Sequence, residues 1–237
     1  MSRILRRFLT AAIVLTVLYL LILHRPLGHE VGRRNYPAER GRRGPYEEAP
    51  RSRRGGEMGT APEVGCASEY FGNWQEPAKG SCAVRMRNGY PVPDPLCTPG
   101  GVNPTVTEGV IRNPGWRTRE VRNCAESEAQ KHAAYGWYDI TKPRINSNDN
   151  QVCELDHLVP LELGGADGMG NIWPQCGPDA VTLNQRYFKQ KDHVENYLAD
   201  EVRAGRMALP EAQRGIARDW TQYLNDADLW CGRTGRC

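Results

Sequence analysis

The chain has 237 residues, of which 39% are hydrophobic, and it carries 25 Gly, 17 Pro and a formal net charge of +3. This length holds one sizeable domain with extensions, and the composition excludes a coiled coil, a collagen and a polytopic membrane protein. The charge is unevenly spread, because twelve arginines, no lysine and five glutamates give residues 1–60 a net charge of +7, while the remaining 19 basic and 23 acidic residues give −4.

The N-terminus has the pattern of an export signal. Residues 8–23 form an uncharged apolar run that follows Arg3, Arg6 and Arg7, and a basic segment before such a run is typical of exported proteins. The run is shorter than the roughly 20 residues that span a bilayer, yet no small-residue cleavage site follows it directly. We therefore expect residues 1–25 to form an uncleaved signal anchor, with a cleaved signal peptide as the alternative.

Residues 26–61 are rich in Arg, Gly, Pro and Glu and contain almost no large aliphatic side chains. Such a segment cannot bury enough apolar surface to offset the entropy of ordering it. It is predicted to be a disordered tether. Its arginines suit contact with anionic lipid or nucleic acid, and a solvated spacer is the alternative.

The cysteines indicate an oxidising compartment. Their number is even and no CxxC pair occurs, which argues against a zinc ribbon or a thioredoxin-type site. Together with an export signal, the pattern predicts four disulfides, with free thiols in a cytosolic protein as the alternative. The eight cysteines are Cys66, Cys82, Cys97, Cys124, Cys153, Cys176, Cys231 and Cys237.

The first half of the domain is predicted to be rich in loops. Residues 62–122 are dense in turn residues, with short β-prone pieces. A helix is predicted over residues 124–136, ended by Gly136. Alternating apolar residues predict a half-buried strand over 152–163, and a second short strand over 171–174 follows a Gly-rich loop.

Two helices are predicted after the second strand. The first runs over residues 184–203, with an apolar stripe along one side. The second starts near Pro210, a residue that suits the first turn of a helix, and its apolar side runs on to Leu224. We assign Trp173 and the stripe around Trp220 to the core rather than to base stacking.

The residues with the strongest chemical potential lie on and around the two strands. Asp156 and His157 are adjacent on the first strand, and Asn171 opens the second. A neutral imidazole is well suited to take a proton from an attacking water molecule, and a hard divalent cation prefers carboxylate and amide oxygens. Phosphodiester cleavage uses both a base and a cation.

The segments DHLVPLELGG and NIWPQ resemble the HNH endonuclease family, whose ββα-metal finger has an Asp-His pair, a proline, two glycines and an asparagine. The flanking segments are similar to an exported bacterial branch of that family, so the resemblance covers roughly residues 80–223. It implies an α+β fold for residues 62–237, with a ββα-metal core in residues 152–203, added helices and a loop-rich, disulfide-stabilised N-terminal part. The residues in register are Asp156, His157, Pro160, Gly164, Gly165 and Asn171.

The resemblance also implies a role for each residue. His157 is expected to be the general base, Asp156 a metal ligand, and Asn171 a brace that hydrogen-bonds backbone near His157. The third metal position falls on Asn184, which we favour, or on His193, and Asn184 as a simple helix cap is the alternative. The expected cofactor is one divalent ion, Mg²⁺ first, with Mn²⁺, Zn²⁺ or Ni²⁺ as alternatives.

The implied activity is hydrolysis of DNA, or of RNA, with little sequence preference. Arg186, Lys189 and Lys191 are candidate phosphate contacts, although Lys191 equally suits an ion pair with Glu195 one turn on. The net negative charge of the domain argues against a nucleic-acid binder. The alternative function is a non-enzymatic extracytoplasmic scaffold that keeps the ββα finger.

Two disulfides are predicted from spacing. Residues opposed in an antiparallel pair have a constant sum of residue numbers, and Cys153 and Cys176 lie on either side of the Gly-rich loop at nearly equal separations from it. We therefore expect a Cys153–Cys176 bridge at the base of the loop, and a Cys231–Cys237 bridge at the C-terminus.

Overall fold

The computed structural model describes residues 64–237, and the expected anchor and tether lie outside the described residues. Between Val64 and Cys237 the chain is α+β, with three two-stranded antiparallel sheets and six α-helices joined by loops and 3₁₀ turns. No helix in this part of the chain has both the length and the apolar character needed to cross a bilayer.

The first half consists of small elements in long loops, as its turn-rich sequence predicts. Strand β1 pairs with β4, and β2 pairs with β3 in a tight hairpin. Three short helices follow. The bounds are β1 Glu69–Tyr70, β2 Arg85–Arg87, β3 Tyr90–Val92, β4 Gly101–Val102, α1 Glu108–Arg112, α2 Glu128–Lys131 and α3 Ala133–Trp137.

The helix predicted over residues 124–136 was wrong in both its start and its end. Ser127 and Gln130 form a capping box that starts α2 at Glu128, because a side chain that accepts from a free backbone N–H fixes a helix start. Gly136 lies inside α3 and does not have the positive φ of a helix-terminating glycine.

The second half begins with a hairpin of β5 (Cys153–His157) and β6 (Ile172–Cys176), in a register that runs from Cys153↔Cys176 to His157↔Ile172. The strand predicted over residues 152–163 was too long. It ends at His157, and a 3₁₀ turn over Leu161–Leu163 follows Pro160, because proline has no N–H to donate to a strand ladder.

Three helices complete the chain: α4 Tyr187–Arg203, α5 Leu209–Asp219 and α6 Leu224–Thr234. The prediction that Pro210 lies in the first turn of a helix is confirmed. Asn184 was predicted at the start of α4, but it lies in a separate 3₁₀ turn before that helix. The stripe predicted to run on to Leu224 is interrupted because Asp219 caps a new 3₁₀ turn, and α6 was not predicted.

The hydrophobic core lies between α4, α5 and the loop that follows β5. Val194, Leu198 and Val202 on α4 are fully buried against Leu163 and Ile216. Each such side chain stabilises the fold by roughly 1.5–3 kcal/mol relative to exposure. A second cluster surrounds Trp173, Ile172 and Leu158, which confirms the assignment of Trp173 to the core.

All eight cysteines are paired in four disulfides, and none is free. This indicates folding in an oxidising, extracytoplasmic environment. The predicted Cys153–Cys176 and Cys231–Cys237 bridges are both confirmed. The four pairs are Cys66–Cys124, Cys82–Cys97, Cys153–Cys176 and Cys231–Cys237.

We expect the double substitution Cys153→Ala, Cys176→Ala to lower the free energy of unfolding by about 3 kcal/mol, because this bridge closes a 23-residue loop in the unfolded chain. Urea unfolding without reductant measures the change. Cys231→Ala, Cys237→Ala is the matched control, with a six-residue separation and an expected loss of about 2 kcal/mol. Equal stability of the first variant and the unsubstituted chain contradicts the expectation.

Candidate functional site

Asn171 ties together the backbone around the end of β5. Its side chain is fully buried, its Oδ1 accepts from the N–H groups of Val159 at 2.9 Å and Gly101 at 3.2 Å, and its Nδ2 donates to the carbonyls of Val159 at 2.9 Å and Ala166 at 2.8 Å. These four bonds use the whole capacity of a carboxamide. The geometry matches the bracing role expected for this residue.

Two glycines allow the loop between the strands to fold back on itself. Gly164 has φ +69°, a conformation that side chains rarely adopt. A Cβ on Gly165 would overlap the carbonyl oxygen of Val159. The close approach of these segments brings the loop within reach of His157.

His157 is oriented by a buried carboxylate. Its Nε2 lies 2.8 Å from Oδ1 of Asp167, and the same oxygen accepts from Nζ of Lys131 at 2.7 Å. Oδ2 of Asp167 accepts from the backbone N–H of Cys124 at 3.0 Å. Nδ1 of His157 has no hydrogen-bond partner among residues 64–237, and the residue as a whole is 8% exposed.

The protonation states follow from this arrangement. Burial lowers the pKa of His157 below its ordinary value, although Asp167 acts in the opposite direction. Burial opposes ionisation of Asp167, but the hydrogen bonds from His157 and Lys131 outweigh it, and the pKa of Asp167 is lowered. A neutral imidazole therefore donates Nε2–H to an ionised carboxylate, and its Nδ1 is left as a proton acceptor.

Asp156 lies on the opposite face of β5, because successive strand residues alternate. Its Oδ2 meets Nζ of Lys191 at 2.8 Å and accepts from Nε1 of Trp173 at 3.1 Å. Nζ of Lys191 also donates to the carbonyl of His157 at 2.8 Å and to Oε1 of Glu195. The fully buried ammonium thus lies between two carboxylates, one from the hairpin and one from α4.

Carboxylates outnumber ammonium groups here. Burial raises the pKa of Glu195 well above its ordinary value, and one ammonium cannot compensate both Glu195 and Asp156. Burial, with the charges of Asp156 and Asp192, raises the pKa of Glu154 to about 7. The raised pKa values show that these carboxyl groups are crowded, and either protonation or binding of an additional cation would relieve their repulsion.

A fully buried amide points to the same conclusion. Gln175 lies opposite Glu154 in the hairpin, on the face that carries Asp156, and both polar atoms of its side chain lack a hydrogen-bond partner in the described part of the chain. Buried amides are nearly always paired. Carboxylate and amide oxygens are the ligands of hard divalent cations, so the residues present fit a Mg²⁺-like ion.

Neither predicted third ligand makes a hydrogen bond to Asp156 in residues 64–237. Asn184 is exposed, and His193 lies 4.0 Å from Asp228. Both line a cavity of about 340 Å³ that also contains Asp192 and Glu195. Glu195 is the residue of α4 that, like Asp156, contacts the ammonium of Lys191.

His193 lies beside the C-terminal cysteines. One of its ring nitrogens and the sulfurs of Cys231 and Cys237 are within 4.8 Å of one another. The two sulfurs form a disulfide, whereas metal ligation by cysteine requires the thiolate. This cluster is therefore not a metal site in the oxidised protein.

The three predicted phosphate contacts differ in exposure. Lys191 is fully buried and pairs with Asp156 and Glu195, so the ion-pair alternative describes it. Arg186 is buried and donates to the carbonyl of Pro178. Lys189 is one-third exposed and pairs with Asp192 at 2.7 Å.

Sequence reasoning did not assign roles to Asp167, Lys131 or Gln175, and it considered Glu195 only as an ion-pair partner of Lys191. Asp167 is the acidic residue of the Gly-rich loop, and its place in a tight loop next to the Asp-His pair was a usable signal. Lys131 is 36 residues away from Asp167 in sequence, and no local pattern marks it. Comparison with protein-family models, with curated proteins and with solved structures gives no match to this chain.

We expect Asn171→Ala to lower the free energy of unfolding by at least about 3 kcal/mol, because it leaves four buried backbone groups without partners. Urea unfolding measures the loss. Asn184→Ala is the matched control, since the exposed side chain of Asn184 makes no hydrogen bond within residues 64–237. This variant should change the free energy of unfolding by no more than about 0.5 kcal/mol. Similar losses in the two variants contradict the bracing role.

Proposed function

We propose that residues 62–237 form an HNH-type, metal-dependent endonuclease that hydrolyses phosphodiester bonds of DNA, or of RNA, with little sequence preference. The observation that carries the proposal is the orientation of His157, whose Nε2 is held by Asp167 at 2.8 Å while Nδ1 has no partner within residues 64–237. A base whose second nitrogen is held by a carboxylate is a common arrangement for activating a nucleophile.

The proposed chemistry begins with proton transfer to His157. Nδ1 takes a proton from a water molecule, and the resulting hydroxide attacks phosphorus while the leaving oxygen departs with the bonding electron pair. Asp167 stabilises the imidazolium that forms, and Lys131 keeps Asp167 ionised and in place. The lowered pKa of His157 keeps the base neutral near pH 7.

Asp156 and Glu195 would hold the divalent ion, with Mg²⁺ expected and Mn²⁺, Zn²⁺ or Ni²⁺ as alternatives. When bound, the ion would stabilise negative charge on the phosphate and the leaving oxygen. Lys191 orients both carboxylates by its contacts with them and with the carbonyl of His157. Its single positive charge leaves the surrounding carboxylates in excess.

The proposal places the enzyme outside the cytoplasm. The four disulfides support an oxidising compartment, and the apolar run at residues 8–23 supports either membrane anchoring or secretion. A membrane-tethered nuclease would meet nucleic acid from outside the cell or in transit through the envelope.

The second candidate is a non-enzymatic scaffold, and Lys191 is the observation that favours it. Its ammonium pairs with both Asp156 and Glu195, as a purely structural ion-pair cluster would. An oriented imidazole whose Nδ1 has no partner within residues 64–237 has no purpose in a scaffold. We therefore rank the nuclease first.

Cleavage of a supercoiled plasmid and of a single-stranded RNA by the full chain in mild detergent tests the proposal. With Mg²⁺ we expect nicking or strand scission that a chelator abolishes. His157→Ala should reduce the rate by roughly 10²–10⁴-fold, because a positioned base contributes that much. Asp167→Asn should also reduce the rate while the circular dichroism spectrum stays unchanged.

His132→Ala is the matched control for this experiment, since His132 is an exposed histidine with Lys142 as its neighbour. Its activity should equal that of the unsubstituted chain. Undiminished cleavage by His157→Ala would refute the mechanism. Absence of cleavage with Mg²⁺, Mn²⁺, Zn²⁺ and Ni²⁺ would favour the scaffold.

Titration calorimetry with Mg²⁺ and Mn²⁺ tests the ligands. Asp156→Asn and Glu195→Gln should each weaken binding roughly tenfold or more, since a contact to a charged group contributes about 1.5 kcal/mol or more. Asn184→Ala and His193→Ala should bind as the unsubstituted chain does. Weaker metal binding only in Asn184→Ala or His193→Ala would instead identify Asn184 or His193 as the third ligand.

A further inference from the structure

A groove of about 620 Å³ lies between the β2–β3 hairpin and α5. Its floor is apolar, with Val92 and Pro93 from the hairpin, Leu158 from the chain after β5, and Ile216 and Trp220 from the α5 region. Leu158 directly follows His157 in the chain. None of the predicted phosphate contacts lines this groove.

Two pairs of arginines line the groove. Arg85 and Arg87 are two residues apart on β2, and so lie on one face of the strand. Arg214 and Arg218 are four residues apart on α5, and so lie one turn apart on one face of the helix. The groove therefore carries one row of guanidinium groups from the hairpin and one from the helix.

The helix pair is available for a ligand. Arg214 and Arg218 are exposed and have no hydrogen bond or salt bridge to any residue from 64 to 237. Arg85 donates to the carbonyl of Pro93 at 2.8 Å, and Arg87 lies 3.5 Å from the carboxylate of Asp219. The four arginines and Asp219 together give the groove a net charge of +3. Residues 61–237 as a whole have a formal net charge of −4.

An aromatic ring completes the lining. Phe71 is 41% exposed although it is large and apolar, and it lies on the groove wall. Proteins that bind single strands combine a basic groove that follows the phosphates with aromatic rings on which bases stack. The volume is that of a site for a few nucleotides rather than for a duplex.

We propose that this groove binds a short segment of single-stranded nucleic acid, with phosphates on Arg214 and Arg218 and a base on Phe71. The inference that the groove holds the substrate of the enzyme rests on the proposed function. The inference that the groove binds nucleic acid at all rests on charge complementarity and on the exposed ring of Phe71. An anionic lipid surface is less suited, because a bilayer is flat and the arginines line a concave groove.

The test is fluorescence anisotropy with a labelled 12-nucleotide polythymidine. The protein is the full chain carrying His157→Ala in mild detergent with chelator, so that binding is measured without cleavage. Adding Arg214→Ala and Arg218→Ala should raise Kd about tenfold in 50 mM salt and reduce the slope of log Kd against log salt by about 1.4, as the loss of two phosphate contacts predicts. Adding Phe71→Ala instead should raise Kd roughly fivefold or more.

The matched control adds Arg119→Ala and Arg122→Ala, which removes the same charge from two exposed arginines outside the groove. This variant should bind the oligonucleotide nearly as tightly as the His157→Ala protein. Equal Kd values for the groove and control pairs would overturn the inference. The inference would also be overturned if Arg214→Ala and Arg218→Ala together weakened binding only to phosphatidylserine vesicles, because the groove would then be a membrane contact.

The outcomes separate this inference from the proposed function. Binding that depends on Arg214 and Arg218 in a protein whose unsubstituted form cleaves nothing would support the groove and refute the nuclease. Cleavage by the unsubstituted chain, together with binding that is insensitive to these arginines, would refute the groove alone. Unchanged melting temperatures of the groove variants would exclude unfolding as the cause of weaker binding.

Discussion

The geometry of the site depends on one buried carboxamide. Asn171 is shared by three chain segments, because its four hydrogen bonds reach Val159 after β5, Ala166 in the Gly-rich loop and Gly101 on β4. The net gain from each bond is modest, but a buried backbone group left without a partner costs about 1–3 kcal/mol. These bonds therefore stabilise the closed form of the loop, in which Asp167 lies against His157.

The strand β5 separates two buried electrostatic clusters. On one face His157 and Asp167 are completed by Lys131, and on the other Asp156 and Glu195 are completed by Lys191. Buried ion pairs contribute little net stability, since desolvation offsets the attraction between charges. They do impose geometry, because a displaced partner leaves an uncompensated charge. Both clusters thus fix the directions of the two adjacent residues that we propose carry the chemistry.

The features that the sequence predicted correctly are local. The strand register that joins Cys153 to Cys176 follows from counting residues around the loop, and the bracing by Asn171 spans only 12 residues. Lys131 could not be assigned, because its contact with Asp167 depends on how residues 123–131 pack against the loop. Glu195 was considered only as a partner for Lys191, since helix periodicity does not show which strand residue faces it. The predicted strand extended beyond His157 because the prediction relied on the alternation of apolar residues and did not consider that Pro160 has no N–H to donate.

The slightly acidic composition is a poor guide to what this surface attracts. Net charge counts every carboxylate equally, yet much of the acidity near the site is turned inward, where Asp156 and Glu195 surround the ammonium of Lys191 and the pKa of Glu195 is raised. Such carboxylates contribute less to the external field than exposed groups do, because they are paired or protonated. Arg214 and Arg218, by contrast, are exposed and have no ion-pair partner within residues 64–237. The potential at the groove is therefore set by these local guanidinium groups, and an approaching polyanion would meet positive charge on a domain whose formal charge is negative.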